Sequence, residues 1–200
     1  MPVTGSNNKK SYRNLSIQQQ LGGQIFSMTE PKHLVVEIDT CFTKPIPSQE
    51  NISAESCFEA DGLTVTHKET LLRTYITSDL DLVTVVPNSA LEQMNRHFSE
   101  QKYLIYTPLQ RVVEYVRKRQ AMTMAIWFSQ HNTYIAIGEK RTLKYAEVFP
   151  ITSDNDLLYC LSVIDNDFGV LKSANVILLG KNTQARLKFL KKYIKNCKCE

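Results

Sequence analysis

Glycine is scarce in this chain, with 7 in 200 residues, about half of ordinary usage. A chain that wraps its backbone around phosphates usually carries more of it, because only glycine lets amides approach an anion closely. No Gly-x-x-x-x-Gly-Lys-Ser/Thr loop and no Gly-x-Gly-x-x-Gly turn occurs, which excludes P-loop and dinucleotide chemistry. A Gly-x-Ser-x-Gly elbow and a nucleophilic-cysteine signature are also missing, so serine and cysteine hydrolase mechanisms find no support. Long uncharged apolar runs are absent, and membrane insertion is not expected. The opening MPVTGSNNKKSYRN is polar and lacks the apolar stretch of a signal peptide, which leaves the cytoplasm as the expected compartment.

Cysteine and histidine are too few and too scattered for a disulfide framework or a metal centre. The five cysteines, Cys41, Cys57, Cys160, Cys197 and Cys199, are odd in number and irregularly spaced, as reduced thiols are. Cys197 and Cys199 sit together in KNCKCE, but zinc wants four ligands at regular spacing, and His33, His67, His97 and His131 lie elsewhere. No metal and no cofactor is expected, and KNCKCE reads as a frayed end.

What is present suits a folded α/β chain. Apolar residues make up 42% and charged residues 22%, enough for one domain or two small lobes with a core. The net charge of +4 is mild. Its excess comes largely from RVVEYVRKRQ, with Arg117, Lys118 and Arg119, and from ARLKFLKKYIKNCK, with Lys188, Lys191, Lys192 and Lys195. In the second segment Leu187, Leu190, Tyr193 and Ile194 recur at helical spacing, which predicts an amphipathic helix with a solvated basic side. These two segments are the candidate nucleic-acid patch, although a general nucleic-acid-binding field is not implied.

Along the chain, residues 1–13 read as disordered. LSIQQQ, QIFSM and HLVVEID then read as three antiparallel strands, the first two parted by a turn at Leu21, Gly22 and Gly23. CFTKPIPSQENISAES reads as a loop, and Val65, Leu72 and Ile76 predict a helix. LDLVTVVP is a buried-type strand, and NSALEQMNRHF a helix capped by Asn88 or Ser89. Residues 101–120 resist assignment. MTMAIWF, TYIAI and TLKYAEVF are three strands with turns at Gln130 to Asn132 and Gly138 to Lys140. A helix opens at Ser153, carries Leu157, Leu158, Leu161, Ile164 and Phe168 on one face and stops at Gly169. NVILLG is a strand, after which Asn182 or Thr183 opens the basic helix. A βββαβα order thus occurs twice, predicting a first lobe over 14–100, a connection over 101–120 and a second lobe over 121–200.

That doubled unit is the plan of the actin-like ATPase, or ribonuclease H-like, superfamily. LSIQQQLGGQIFSM, LVTVVPNSALEQ, FPITSDNDLLYCLSVIDNDFGV and VILLGKN, spread over about four-fifths of the chain, resemble the bacterial Domain of Unknown Function 3822 family. The resemblance implies an α/β fold of two lobes facing a cleft, and it supplies no reaction. It also implies where a nucleotide would be held. Actin-like ATPases use two strand hairpins, each with an Asp beside a glycine-rich turn, and a third glycine-rich turn after the last core strand.

At the first hairpin the comparable position is Gln18 or Gln19, with Gly22 and Gly23 in the turn, and glutamine cannot replace a carboxylate as a hard anionic ligand of magnesium. At the second, Trp127 and Phe128 stand in place of Asp, followed by Ser129, Gln130, His131 and Asn132 with no glycine. The third retains only Gly180, which reads as a strand-to-helix turn. The nucleotide site therefore reads as degenerate. The expected role is non-enzymatic, through a protein partner or self-association, with no catalytic residue. The alternatives are a phosphate ligand held by Gln18, Gly22, Gly23, Ser129, Asn132 and Gly180, or nucleic acid held by the basic helices. Asp154, Asp156, Asp165 and Asp167 read as capping and turn residues. Asp39, Asp79 and Asp81 stay as acids with no argument bringing them together.

Overall fold

Near-continuous apolar runs in NVILLG and MTMAIWF require a sheet covered on both faces, and that sheet forms the second half of the molecule. The computed structural model describes residues 14–15, 28–29, 34–40, 42–48, 53–98, 103–129, 132–151, 153–180 and 183–200. Strands β8 (Thr123–Phe128), β9 (Thr133–Glu139) and β10 (Thr142–Phe149) form an antiparallel meander. Strands β11 (Asn175–Gly180) and β12 (Cys197–Cys199) add in parallel, giving the order β10-β9-β8-β11-β12.

One face carries Met124, Ile126, Ile135, Ile137, Val176 and Leu178. It packs on Leu157, Leu161 and Ile164 of α4 (Asp154–Phe168) and on Leu190 of α6 (Thr183–Leu190). The other face, with Ala125, Tyr134, Ala136, Ile177 and Leu179, packs on α3 (Pro108–Arg117) through Leu109, Val112, Val113 and Val116. The capping expected for α4 is present in full. Ser153 Oγ accepts from the Asp156 amide at 3.2 Å, Asp156 Oδ2 accepts from the Ser153 amide at 2.8 Å, and Gly169 closes the helix in the left-handed region. Phe168 is followed by a short turn of helix, α5 (Val170–Ser173).

The first half departs from the expected order in an informative way. Strands β1 (Asn14–Leu15), β2 (Met28–Thr29) and β3 (Leu34–Glu37) pair antiparallel, and β7 (Tyr103–Tyr106) lies parallel to β3 in the order β1-β2-β3-β7. The strand after the helix of the first unit is thus β7, inside the segment that the sequence left unassigned, and α3 follows it. LDLVTVVP, as β6 (Leu80–Pro87), belongs instead to a separate antiparallel sheet, in which it lies between β4 (Thr43–Pro47) and β5 (Glu69–Thr77), inserted between β3 and α2 (Asn88–His97).

The segment expected as a loop supplies β4 (Thr43–Pro47) and the start of α1 (Ala54–Glu59). The helix expected over Leu72 and Ile76 is β5 (Glu69–Thr77). Positions four apart share a face in a strand as well as in a helix, and Arg73 and Tyr75, exposed between partly buried neighbours, mark the period of two. Phe58, Ile46, Val83 and Val85 form the core under α1, while Val36, Ile38, Val86, Ala90 and Met94 join α2 to the first sheet. Asn88 does not cap α2. Its side chain accepts from Thr70 Oγ1 at 2.7 Å and donates to the His67 carbonyl at 3.1 Å, which ties the helix start to β5.

Three more expectations change near the turns and the end of the chain. The basic helix stops at Leu190, because Ile194 turns inward and the chain pairs with β11 through the Val176 amide and the Asn196 carbonyl at 2.8 Å. Cys197 is therefore buried in a strand rather than frayed, and burial pushes its thiol up to about 11. The β9–β10 turn is not centred on Gly138. A Cβ there would meet Val116 at 2.9 Å, so this glycine serves the close approach of α3.

The turn residues are Lys140 and Arg141, at φ 51° and 65°. Two successive positive φ values make the type I′ turn that strand twist favours, which Asn-Gly adopts at least cost. Changing Lys140→Asn with Arg141→Gly is expected to raise unfolding free energy by about 1 kcal/mol, read as a higher urea midpoint at unchanged slope.

Candidate functional site

Parallel strands β8 and β11 end at the same edge of the second sheet, where β9 begins, and open α/β sheets bind ligands at such carboxyl ends. The described residues there are Trp127, Phe128, Ser129, Asn132 and Gly180. Gly180 pairs in register with Phe128 and sits at φ 97°. A Cβ on it would lie 2.7 Å from the Phe128 carbonyl oxygen and 3.3 Å from Trp127 Cε2. The space beside the last core strand is thus filled by β8 itself, and Gly180 is needed for that contact.

Ser129 is committed to the hairpin turn. Its hydroxyl donates to the Asn132 carbonyl at 2.9 Å and accepts from the Asn132 amide at 3.1 Å, while its amide donates to the same carbonyl at 3.0 Å. The Asn132 side chain points away to Asp39, donating to Oδ1 at 2.7 Å. Tyr134, on β9, donates its hydroxyl to the same oxygen at 2.6 Å, with the Thr40 carbonyl a longer second acceptor at 3.2 Å.

Asp39 follows β3, so these bonds join the two halves of the chain. It is 5% exposed, and its Oδ2 has no hydrogen-bond partner among the described residues. Burial, and then the Asp39 carboxylate, push the Tyr134 hydroxyl far above its ordinary range, so it remains a donor and cannot act as a base.

A second tie lies next to this one. Arg111 on α3 pairs with Glu37 of β3 at 2.8 Å, and its guanidinium lies over the rings of Tyr106 (4.9 Å) and Trp127 (5.5 Å). Trp127 is thereby a cation–π partner at the position where an Asp was expected. Phe128 is 7% exposed, and Arg186, which pairs with Asp154, lies over its ring at 5.6 Å.

Gln18, Gly22 and Gly23 lie outside the described residues, so the site as described is built from Ser129, Asn132 and Gly180. Lys188, Lys191, Lys192 and Lys195 are exposed on and beyond α6, whereas Arg117, Lys118 and Arg119 end α3. Those helices cover opposite faces of one sheet, so the two basic segments do not form one patch. Arg117 pairs with Asp79 at 3.3 Å and Arg119 with Glu200 at 3.5 Å.

No group of three or more His, Cys, Asp or Glu side chains suited to a metal ion occurs among the described residues. Sequence reasoning named Asp39 without a partner and did not single out Tyr134, Arg111 or Glu37. The only signal was a carboxylate closing an apolar strand, since its partners lie 93 and 95 residues away.

A family model described as a protein of unknown function (DUF3822) matches residues 58–197. The chain belongs to the DUF3822 family. The matched span includes the inserted sheet's β5 and β6, α2, β7, α3 and nearly all of the second half. No curated protein matches the DUF3822 chain. Among solved structures, a Bacteroides thetaiotaomicron protein with actin-like ATPase fold and unknown function superposes with a TM-score of 0.68. The identity is 16%, over 86% of this chain and 70% of that one. The PilM–PilN type IV pilus biogenesis complex superposes with a TM-score of 0.57 at 10% identity, over 83% of this chain and 68% of that one. The DUF3822 chain has the actin-like ATPase fold. No helix among its described residues is long and apolar enough to cross a membrane.

Proposed function

We propose that this DUF3822 protein is a non-enzymatic interaction protein of actin-like fold, in which the region corresponding to the nucleotide site is built as a structural junction. The observation that carries this reading is the end of β8. There Trp127 and Phe128 stand under the Arg111 and Arg186 guanidiniums, and the backbone of Phe128 fills the space beside Gly180. The side-chain donors nearest this edge are engaged, Ser129 in the turn and Asn132 on Asp39. The fold relative in the PilM–PilN type IV pilus biogenesis complex belongs to a protein assembly, and this agrees with an interaction role.

The test is thermal stability in millimolar magnesium ATP, ADP and GTP. A nucleotide bound only to the native state stabilises it by RT ln(1 + [L]/Kd), about 2.7 kcal/mol at one hundred times Kd. The expected result is no shift beyond a salt control of equal ionic strength. A magnesium-dependent rise that disappears in Ser129→Ala or Gln18→Ala overturns the reading in favour of a nucleotide-binding protein with unorthodox ligands.

A further inference from the structure

We propose that the groove between β4 and β10 docks an extended acidic segment of a partner protein; this names the partner chemistry for the interaction role above and rests on that reading. The groove has a volume of about 280 Å³. Pro45, Ile46 and Pro47 form one wall, and Leu143, Tyr145 and Ala146 the other. Both walls are the outermost strands of their sheets. Two prolines leave β4 without amide donors at those positions, and β10 runs close beside β4, so the groove is a furrow that a segment follows through side-chain contacts rather than a free edge for strand addition.

The rim is basic. The turn between β9 and β10 is held against the end of α3 by two backbone bonds, Lys140 amide to Gln120 carbonyl at 2.9 Å and Arg141 amide to Arg119 carbonyl at 3.0 Å. This gathers Arg117, Lys118, Arg119, Lys140, Arg141 and Lys144 at one end of the groove, and Arg117 and Lys144 line it. Asp79 answers Arg117 and Glu200 answers Arg119. Lys118, Lys140, Arg141 and Lys144 are exposed and have no ion-pair partner among the described residues.

The turn itself holds Lys and Arg at positive φ, where asparagine and glycine would be less strained. Strain kept at a site that stability alone would change is a mark of function. The apolar walls favour a peptide over nucleic acid. Tyr145, the aromatic in the groove, packs against Phe168 at 5.4 Å and donates its hydroxyl to Glu147, which holds its ring in place.

The experiment is fluorescence anisotropy with the full chain and a short labelled peptide of alternating glutamate and valine. A lysine–valine peptide and a single-stranded oligonucleotide of similar length serve as comparisons, at low and moderate salt. The acidic peptide is expected to bind, more weakly as salt rises, and the lysine peptide not at all. The variant Lys140→Asn, Arg141→Gly, Lys144→Gln is expected to weaken binding about tenfold or more. Its turn is less strained than the natural one, and a melting temperature no lower than the parent's shows that a loss does not come from unfolding. Absence of acidic-peptide binding, binding unchanged in the variant, or tighter binding of the oligonucleotide each overturns the proposal. Failure of the non-enzymatic reading shows separately, as a nucleotide-dependent rise in melting temperature with peptide binding intact.

Discussion

Gly180→Ala is expected to lower the unfolding free energy by about 3 kcal/mol or more, and the melting temperature by about 6–12 °C. Two costs combine. The backbone sits at φ 97°, which a side chain rarely adopts, and the new Cβ would lie 2.7 Å from the Phe128 carbonyl oxygen and 3.3 Å from its amide nitrogen. Those atoms belong to the strand paired with Gly180, so relief requires moving β8 or β11 within a sheet packed on both faces. Gly62→Ala separates the terms, because Gly62 has φ 74° and nothing within 4 Å of a Cβ; its cost should stay near the conformational share of about 1 kcal/mol. Adding Trp127→Ala to Gly180→Ala removes the 3.3 Å side-chain contact and should not restore stability. Equal effects of the two alanine changes, or rescue by Trp127→Ala, would show that the Phe128 backbone is not the obstacle.

Tyr134→Phe and Asp39→Asn are expected to move stability in opposite directions. The phenylalanine variant leaves the buried Asp39 carboxylate with the Asn132 amide alone on Oδ1 and nothing described on Oδ2. Withdrawing a donor from a buried charge costs about 2–3 kcal/mol. Asparagine at position 39 keeps an oxygen for both donors and removes a charge that no described cation balances. That change is expected to be neutral or to stabilise by about 1 kcal/mol. Chemical denaturation of the two variants beside the parent chain decides the matter. If Asp39→Asn destabilises as much as Tyr134→Phe, the charge itself contributes to the junction, and the expectation that it is an unbalanced buried carboxylate fails.

How much of this was legible in the sequence varies with the range of the forces involved. Capping at Ser153 and the end at Gly169 involve residues within one or two turns of each other, so α4 could be read directly from the order of residues. The buried character of β8 and β11 was equally local, since a strand covered on both faces must be apolar throughout. Leu72 and Ile76 misled because a spacing of four satisfies both a strand and a helix; the choice fell to the partner strand β6, which supplies the hydrogen bonds of β5.

The same holds for the chain end, where helical spacing predicted helix to Ile194 and pairing with β11 captured Cys197–Cys199 instead. Twenty unassigned residues held β7 and α3. Their placement depends on β3 and on the face of the second sheet, segments far away in the chain.

The aromatic pair at the end of β8, the missing glycines and the element order of the second half were determined by the sequence alone, because residue type and local spacing carry them. The junction of Asp39 with Asn132 and Tyr134, the stack of Arg111 on Trp127 and the basic groove between β4 and β10 were decided only by the tertiary structure. A buried polar group must find its partner wherever the packed chain brings one, and separation along the sequence does not set distance in the fold.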